Sequence, residues 1–327
     1  MDNILKYGSI DNIPMYNCSA RTPSQWTLET GEPQPIIGSL QVAYGIIVLT
    51  LYIPIAFIML EKKNYKLTSF KIMFQLALAD IIVIAINSIL TGILAFQGAV
   101  YCTYPTLIYL SGSIAMSLWC LSCLTSLILV CNRLLIFFKP KIEALLFEGK
   151  KTFIILGFSL VYGGYFLFTT PHVYNSKRLA WFFDPMIFPN RIHDYDNTSH
   201  AINNFSIVAI TCVMYIPFYK IVRQNLNDVQ SLSRVQSVKV QVFVQSFLIC
   251  VATQLAGIIY VFMNLFQVST CVTVIGHALW QFVQGAPAFI YIGLNELIRK
   301  RFSKFLKCQK NVVTPSVHFV QNPSALP

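Results

Sequence analysis

The sequence predicts an all-α membrane protein: a seven-transmembrane helix bundle followed by a short C-terminal amphipathic helix. Three observations carry this. The 327 residues are 55% hydrophobic and only 11% charged, against about 25% charged residues in a water-facing domain. The apolar residues fall in stretches long enough to cross a hydrocarbon core, which takes about 20 helical residues. Lys and Arg gather at the ends of those stretches instead of covering a surface. The net charge of +11 is therefore assigned to topology. The lipid bilayer is the expected surrounding, and no nucleic acid is expected as a partner.

Met1 to Gly8 hold no apolar core of the kind a cleavable signal needs, so the first span is expected to start insertion itself. Residues 1–35 form an N-terminal segment. Between Pro35 and Glu61 lie 25 uncharged residues, which make span one. From Ile72 to Asn132 there are 61 residues with Asp80 as the only charge, a length that suits two helices. The break is placed at Gln97 to Pro105, where Gly98 and Pro105 supply turn chemistry. Thr152 to Thr170 is a 19-residue span four, closed by Pro171. Residues 172–203 are polar and mixed and are expected to form a loop, and Asn204 to Tyr219 is the apolar core of span five. Val240 to Asn295 is a run of 56 uncharged residues that splits near Asn264 to Cys271 into spans six and seven. The ten-residue alternation of a membrane β-barrel is missing.

After span seven, Glu296 to Lys307 places Leu297, Ile298, Phe302, Phe305 and Leu306 against a basic face. This predicts a helix lying on an anionic leaflet, closing a bundle unit of residues 36–307. Cys308 follows and is a lipidation candidate, an unmodified thiol being the alternative. Residues 308–327 contain three prolines and little apolar pattern, and are expected to be a disordered cytoplasmic tail.

Orientation follows from Lys and Arg alone. With the N-terminus outside, 19 of the 24 basic residues lie on the cytoplasmic side. Asn17-Cys18-Ser19 and Asn197-Thr198-Ser199 are glycosylation sequons on the predicted outside. Asn204-Phe205-Ser206 is a third, too near the membrane to count. The expected location is the plasma membrane.

Within the spans, Asp80 is the only acid, and an unpaired carboxylate there costs several kcal/mol, so it marks function by default. Asn87 lies seven residues on and shares its face. The pair suggests a polar seam, hydrated or ion-binding; a hydrogen-bonded packing role is the alternative. Span seven carries His277, Gln281 and Gln284 on one stripe, with Gln254 and Thr253 at similar depth in span six. Either these contact a ligand or they hydrogen-bond between helices. Tyr109, Trp119, Tyr260, Phe262 and Trp280 could line a pocket, although packing accounts for most membrane aromatics. Cys18, Cys102 and Cys271 face the oxidising side, which permits one disulfide and a spare, with Cys18 to Cys102 the favoured pair. The nine cysteines give no metal pattern; no catalytic set and no cofactor motif stand out, and an enzyme is not expected.

Asp80 within Leu76-Ala77-Leu78-Ala79-Asp80, Asn132-Arg133 at the inner end of span three, and Pro287 with Tyr291 and Asn295 resemble a rhodopsin-type G-protein-coupled receptor. More closely, the chain is similar to the nematode serpentine receptor class T family of chemoreceptors. That resemblance rests on Leu5-Lys6-Tyr7-Gly8-Ser9, Ile13-Pro14-Met15-Tyr16-Asn17-Cys18-Ser19, Ser69-Phe70-Lys71-Ile72-Met73, Gly98, Cys102, Pro105, Trp119-Cys120 and Asn132-Arg133, and it covers residues 5 to about 305. In contrast to the rhodopsin-type pattern, Asn132 replaces an acid before Arg133, so a local ion pair is missing. Span six lacks Trp and Pro, and Ala286 precedes Pro287 instead of Asn.

The resemblance implies a receptor that binds a small extracellular ligand and activates a heterotrimeric G protein, with a sensory cilium as one site of action. Arg133 and Asn132 would serve coupling. Asp80, Asn87, Pro287, Tyr291 and Asn295 would form the polar core and switch, and Tyr109, Gln254, His277, Trp280 and Gln281 the ligand pocket. The rival is a small-solute transporter or ligand-gated channel. Such proteins often show internal repeats, and none is visible here.

Overall fold

The computed structural model describes residues 2–189, 191–227, 234–266 and 268–306; Cys308 and the predicted tail lie outside the described residues. The long helices are α1 (Pro35–Leu60), α2 (Thr68–Gln97), α3 (Pro105–Phe138), α4 (Lys151–Phe166), α5 (Thr198–Asn227), α6 (Arg234–Leu265) and α7 (Thr270–Leu294). A final helix, α8 (Glu296–Leu306), follows α7. By length and apolarity, α1, α2, α3 and the Val244–Met263 part of α6 can each cross a membrane, and α4 is a shorter apolar helix. The chain is a seven-transmembrane bundle, and α5 and α7 complete it beside those helices. Ile47 and Phe57 on α1, Phe158 and Val161 on α4, and Val213 and Ile216 on α5 are exposed. In water such faces would drive aggregation; in lipid they are the ordinary outer wall.

Proline and glycine set the helix ends. Pro35 and Pro105 occupy the first turns of α1 and α3, where a missing N–H costs nothing. Gly98 ends α2 in the left-handed region at φ +68°, a conformation that any Cβ would strain. α4 stops at Phe166, short of the expected Thr170. Thr170 precedes Pro171, which disfavours helical backbone there, and its carbonyl accepts from Asn197 Nδ2 at 2.8 Å.

The expected loop at 172–203 is more ordered than its composition suggested. Val173–Asn175 (β1) and Ala180–Phe182 (β2) form an antiparallel hairpin, with Tyr174 opposite Trp181. Asn175 Oδ1 accepts from the amides of Lys177 and Arg178 and so closes the turn. α5 also begins earlier than expected, because Asn197 caps it: Oδ1 accepts from His200 N at 3.0 Å. That cap bears on the glycosylation expected at Asn197. Its Nδ2, the atom a glycan would join, is buried and donates to Thr169 Oγ1 and to the Thr170 carbonyl. Asn204, the acceptor of the third sequon, is buried as well. Asn17 remains half-buried on the N-terminal segment, its Oδ1 accepting from Ser19 N.

The hairpin and the N-terminal segment together cover one end of the bundle, called here the lid end. Cys18 is joined to Cys102, between α2 and α3. Tyr16 is buried with its ring edge-on to Tyr101, Tyr109 and Tyr195 at 5.2–5.6 Å between centroids, pairs worth about 0.5–1.5 kcal/mol each. Tyr195 Oη donates to the Met15 carbonyl at 2.7 Å, and Trp26 Nε1 donates to that of Cys18 at 3.0 Å. Burial, with Asp184 nearby, pushes the Tyr195 hydroxyl up to about 12. Ser176 ties the hairpin to both neighbours, donating from its amide to the Ala99 carbonyl and accepting from Glu32 N through its hydroxyl. Trp181 is fully buried and donates to Thr91 Oγ1 at 2.9 Å. Gly112 of α3 meets the backbone of His172 so closely that no Cβ fits between them.

Two outcomes follow from this end of the molecule. Cys18→Ser should lower the unfolding free energy of the detergent-solubilised protein by about 2–4 kcal/mol, read by thermal denaturation, whereas Cys271→Ser, at an exposed free thiol, should change it little. Asn17→Gln should remove one glycan's mass on a gel after expression in eukaryotic cells. Asn197→Gln should leave that mass unchanged while costing about 1 kcal/mol of stability through the lost cap.

Candidate functional site

α7 presents the polar stripe that the sequence singled out, and the structure turns it towards α2. Midway along, α2 opens into a π turn over Ala85–Leu90, a local widening that redirects backbone groups. The Asn87 carbonyl in that turn receives two bonds from α7. His277 Nε2 lies 3.0 Å away and Gln281 Nε2 2.6 Å away. With its hydrogen on Nε2, His277 donates to this carbonyl and its Nδ1 accepts from the Tyr260 hydroxyl of α6 at 3.2 Å; with the hydrogen on Nδ1, Nε2 would instead accept from Gln281 Nε2, 3.2 Å away. In the first form one backbone oxygen joins α2, α7 and α6. Among the two alternatives for His277 and Gln281, the structure displays interhelical hydrogen bonding. The Asn87 side chain is fully buried, accepts from Ser88 Oγ, and leaves its Nδ2 without a partner.

Asp80 lies deeper along α2 and is buried against α1. Tyr52 Oη sits 2.7 Å from Asp80 Oδ2 and 3.0 Å from the Gln284 carbonyl of α7. A hydroxyl has one proton, so it can serve both acceptors fully only if the carboxyl brings its own. Pro287, three residues on within α7, has no N–H for the Val283 carbonyl and so weakens the ladder beside this bond. Tyr44 reaches the Gln281 carbonyl in the same way at 3.1 Å. Tyr291, fully buried, stands within electrostatic range of both Asp80 and Arg133, and its hydroxyl has no hydrogen-bond partner among the described residues.

Above this seam lies an aromatic box. Trp280 meets Trp119 of α3, Tyr260 of α6 and His277 edge-on at 5.4–6.5 Å, and its Nε1 is buried without a partner. Trp119 Nε1 donates to Asn204 Oδ1 of α5 at 3.2 Å, and Tyr162 of α4 donates to Asn203 Oδ1 at 2.7 Å. Gln254 is buried on α6. Tyr109 does not join the box; it belongs to the tyrosine cluster of the lid, ten residues nearer the start of α3. Closer to the lid, His172 stacks on Phe183 at 4.2 Å and meets His200 at 5.1 Å. Burial holds the His172 imidazole well below its usual range, and His200 adds to the effect.

At the opposite end, near α8, Asn132 is fully buried. It accepts from Ser69 Oγ of α2 and donates through Nδ2 to Glu143 Oε1 at 2.8 Å, on the short helix Pro140–Phe147. Arg133 has no carboxylate within ion-pair distance among the described residues; its guanidinium contacts Met73 Sδ at 3.9 Å. Gln245 of α6 donates to the same sulfur at 3.9 Å. Asn295, expected in the polar core, instead caps α8, with Oδ1 accepting from Ile298 N at 3.1 Å. Arg301 of α8 pairs with Glu61 at 3.5 Å.

Sequence reasoning missed Tyr44, Tyr52, Asn203 and Glu143. Tyr44 and Tyr52 stand eight residues apart on one helix face, a spacing that could have marked them. Among the described residues no group of three or more His, Cys, Asp or Glu could hold a metal ion.

A family model described as "Serpentine type 7TM GPCR chemoreceptor Srt" matches residues 3–314. Among curated proteins, "Serpentine receptor class T-55" of Caenorhabditis elegans is 27% identical over 305 residues, covering 91% of this chain and 82% of that relative.

Proposed function

Because the chain belongs to the Srt family of serpentine seven-transmembrane chemoreceptors, we propose that it binds a small ligand from outside the cell and activates a heterotrimeric G protein at the α8 end. The lid end would then face outward and the N-terminus with it, in keeping with the basic residues near α8. The plasma membrane, in a sensory cilium, is the proposed location.

The observation that carries the reading is the soft closure around Arg133. Its guanidinium and the Gln245 amide are both held by a thioether sulfur, a weak acceptor. No ion pair among the described residues locks Arg133. Asn132, in place of an acid, spends its amide on Glu143 instead. Outward movement of α6 would release Gln245 from Met73 and bare Arg133 to a partner, at a cost of a few weak contacts. A ligand in or near the aromatic box would drive that movement only by binding the open packing more tightly than the closed one. Trp280 and Pro287 lie on the same helix as the bonds to Asn87, so a shift of α7 would reach Tyr291 and the Arg133 region. Membership of a chemoreceptor family favours this reading over a transporter or channel.

Arg133→Ala should cut agonist-stimulated nucleotide exchange on a co-expressed G protein at least tenfold, with surface expression retained. Exchange at the wild-type level in that variant would remove Arg133 from coupling.

A further inference from the structure

A second recess lies at the lid end, beside the hairpin and apart from the aromatic box. It is a cavity of about 90 Å³ between the segment after β2, the end of α6 and the start of α7. Asp184, Asp196 and Arg178 line it together with Phe183, Phe266 and Met263. Two carboxylates face one guanidinium, so the lining is net acidic. Asp184 is half-buried and has no cationic group within ion-pair distance among the described residues; its Oδ1 accepts only from the Met186 amide at 2.8 Å. Asp196 lies 3.3 Å from His193 in an exposed pair. Arg178 is exposed and directs its guanidinium to the Val268 carbonyl at 3.5 Å, at the rim.

One ring deeper stands His172. It is 5% exposed, and among the described residues neither ring nitrogen has a hydrogen-bond partner. Its ring packs 4.2 Å from that of Phe183, which itself lines the cavity. Unmet buried groups of this kind cost stability, a cost recovered if a ligand supplies the missing bonds. The groups gathered here share a preference. Carboxylates accept hydrogen bonds, aromatic faces carry negative potential, and a thioether is polarizable. Burial keeps His172 neutral, so one of its nitrogens offers a lone pair.

We propose that this recess binds a small organic ammonium ion, with Asp184 as its counter-ion and Phe183 and Phe266 as its aromatic walls. The size fits a compact ammonium head: a cavity of roughly 150 Å³ is what holds a benzene ring, so the rest of the ligand lies along Phe266 or displaces Phe183 towards His172. The site names a ligand class for the receptor reading, on which it rests, yet binding and coupling can be measured apart.

The test compares benzylamine, benzyl alcohol and benzoate, which share one ring and differ in charge, on the full chain in nanodiscs without G protein. Binding is read by saturation-transfer NMR and by thermal shift. Benzylamine should bind at least tenfold more tightly than benzyl alcohol, and benzoate should bind least. Asp184→Asn should weaken benzylamine at least tenfold while the melting temperature of the unliganded protein stays within a few degrees. Should that variant fold poorly, Phe266→Leu, at a solvent-exposed ring, should still weaken benzylamine severalfold. Equal binding of the three compounds, preference for benzoate, no benzylamine binding at millimolar concentration, or full affinity in Asp184→Asn or Phe266→Leu would each overturn the ammonium site. Benzylamine that binds without ever stimulating nucleotide exchange would leave the site standing and count against the coupling reading. Exchange driven by neutral odorants in a protein that does not bind benzylamine would do the reverse.

Discussion

A helix that must sit in lipid while carrying His277, Gln281 and Gln284 on one face has one stable rotation, with that face inward. The Asn87 carbonyl fixes it. In hydrocarbon no water can take the place of a lost partner, so the two donors of α7 and the oxygen of α2 hold each other to register. Much else is set by that rotation. Trp280 is carried into the box with Trp119 and Tyr260, Gln284 presents its carbonyl to Tyr52, and Tyr291 is brought between Asp80 and Arg133. The π turn supplies the acceptor. A regular α2 would aim the same oxygen along its own axis, and the polar stripe of α7 would meet only side chains.

The two ends of the bundle depend on this seam differently. At the lid end the chain is closed by many bonds of ordinary strength: a disulfide, a tyrosine cluster, and hydrogen bonds from the hairpin to the N-terminal segment. At the α8 end Arg133 and Gln245 are held by sulfur contacts, while Ser69, Lys71, Asn132 and Arg301 make ordinary bonds around them. Of the contacts at that end, the two to the Met73 sulfur are the weakest, and the proposed coupling would open the bundle there. The intervening polar groups are short of partners in places, as at Asn87 Nδ2, Gln284 Nε2 and Tyr291 Oη. Such groups gain by rearranging, and they connect the two ends.

The topology was legible in the sequence because charge is so scarce: each gap between basic clusters holds one helix, or two where its length and a turn divide it. Asp80, Asn87, His277 and Gln281 were also legible, as polar residues at helical spacing in apolar runs. Their partners were harder to see. The acceptor for α7 is a backbone atom, exposed by a π turn in a stretch, Ala85 to Leu90, that has neither proline nor glycine to announce it. Tyr52 looks like packing until its hydroxyl is placed beside a carboxylate. Asn197 satisfies the same three-residue pattern whether it holds a glycan or caps a helix, and only the burial of its amide separates the two. Asn295 was assigned to the core for its position after Tyr291, whereas the end of α7 makes it the cap of the next helix. The hairpin strands are three residues each, too short for alternation to register.

The central claim is that one carbonyl on α2 is shared by two donors on α7. Its most direct test is the unfolding free energy of His277→Phe, Gln281→Leu and the double variant in micelles. Either single change leaves the oxygen of Asn87 bonded to the remaining donor, so each should cost about 0.6–1.7 kcal/mol. The double change strands that oxygen, so its cost should exceed the sum of the two by about 1 kcal/mol or more. Costs that add, or a double variant as stable as the parent, would contradict the shared acceptor.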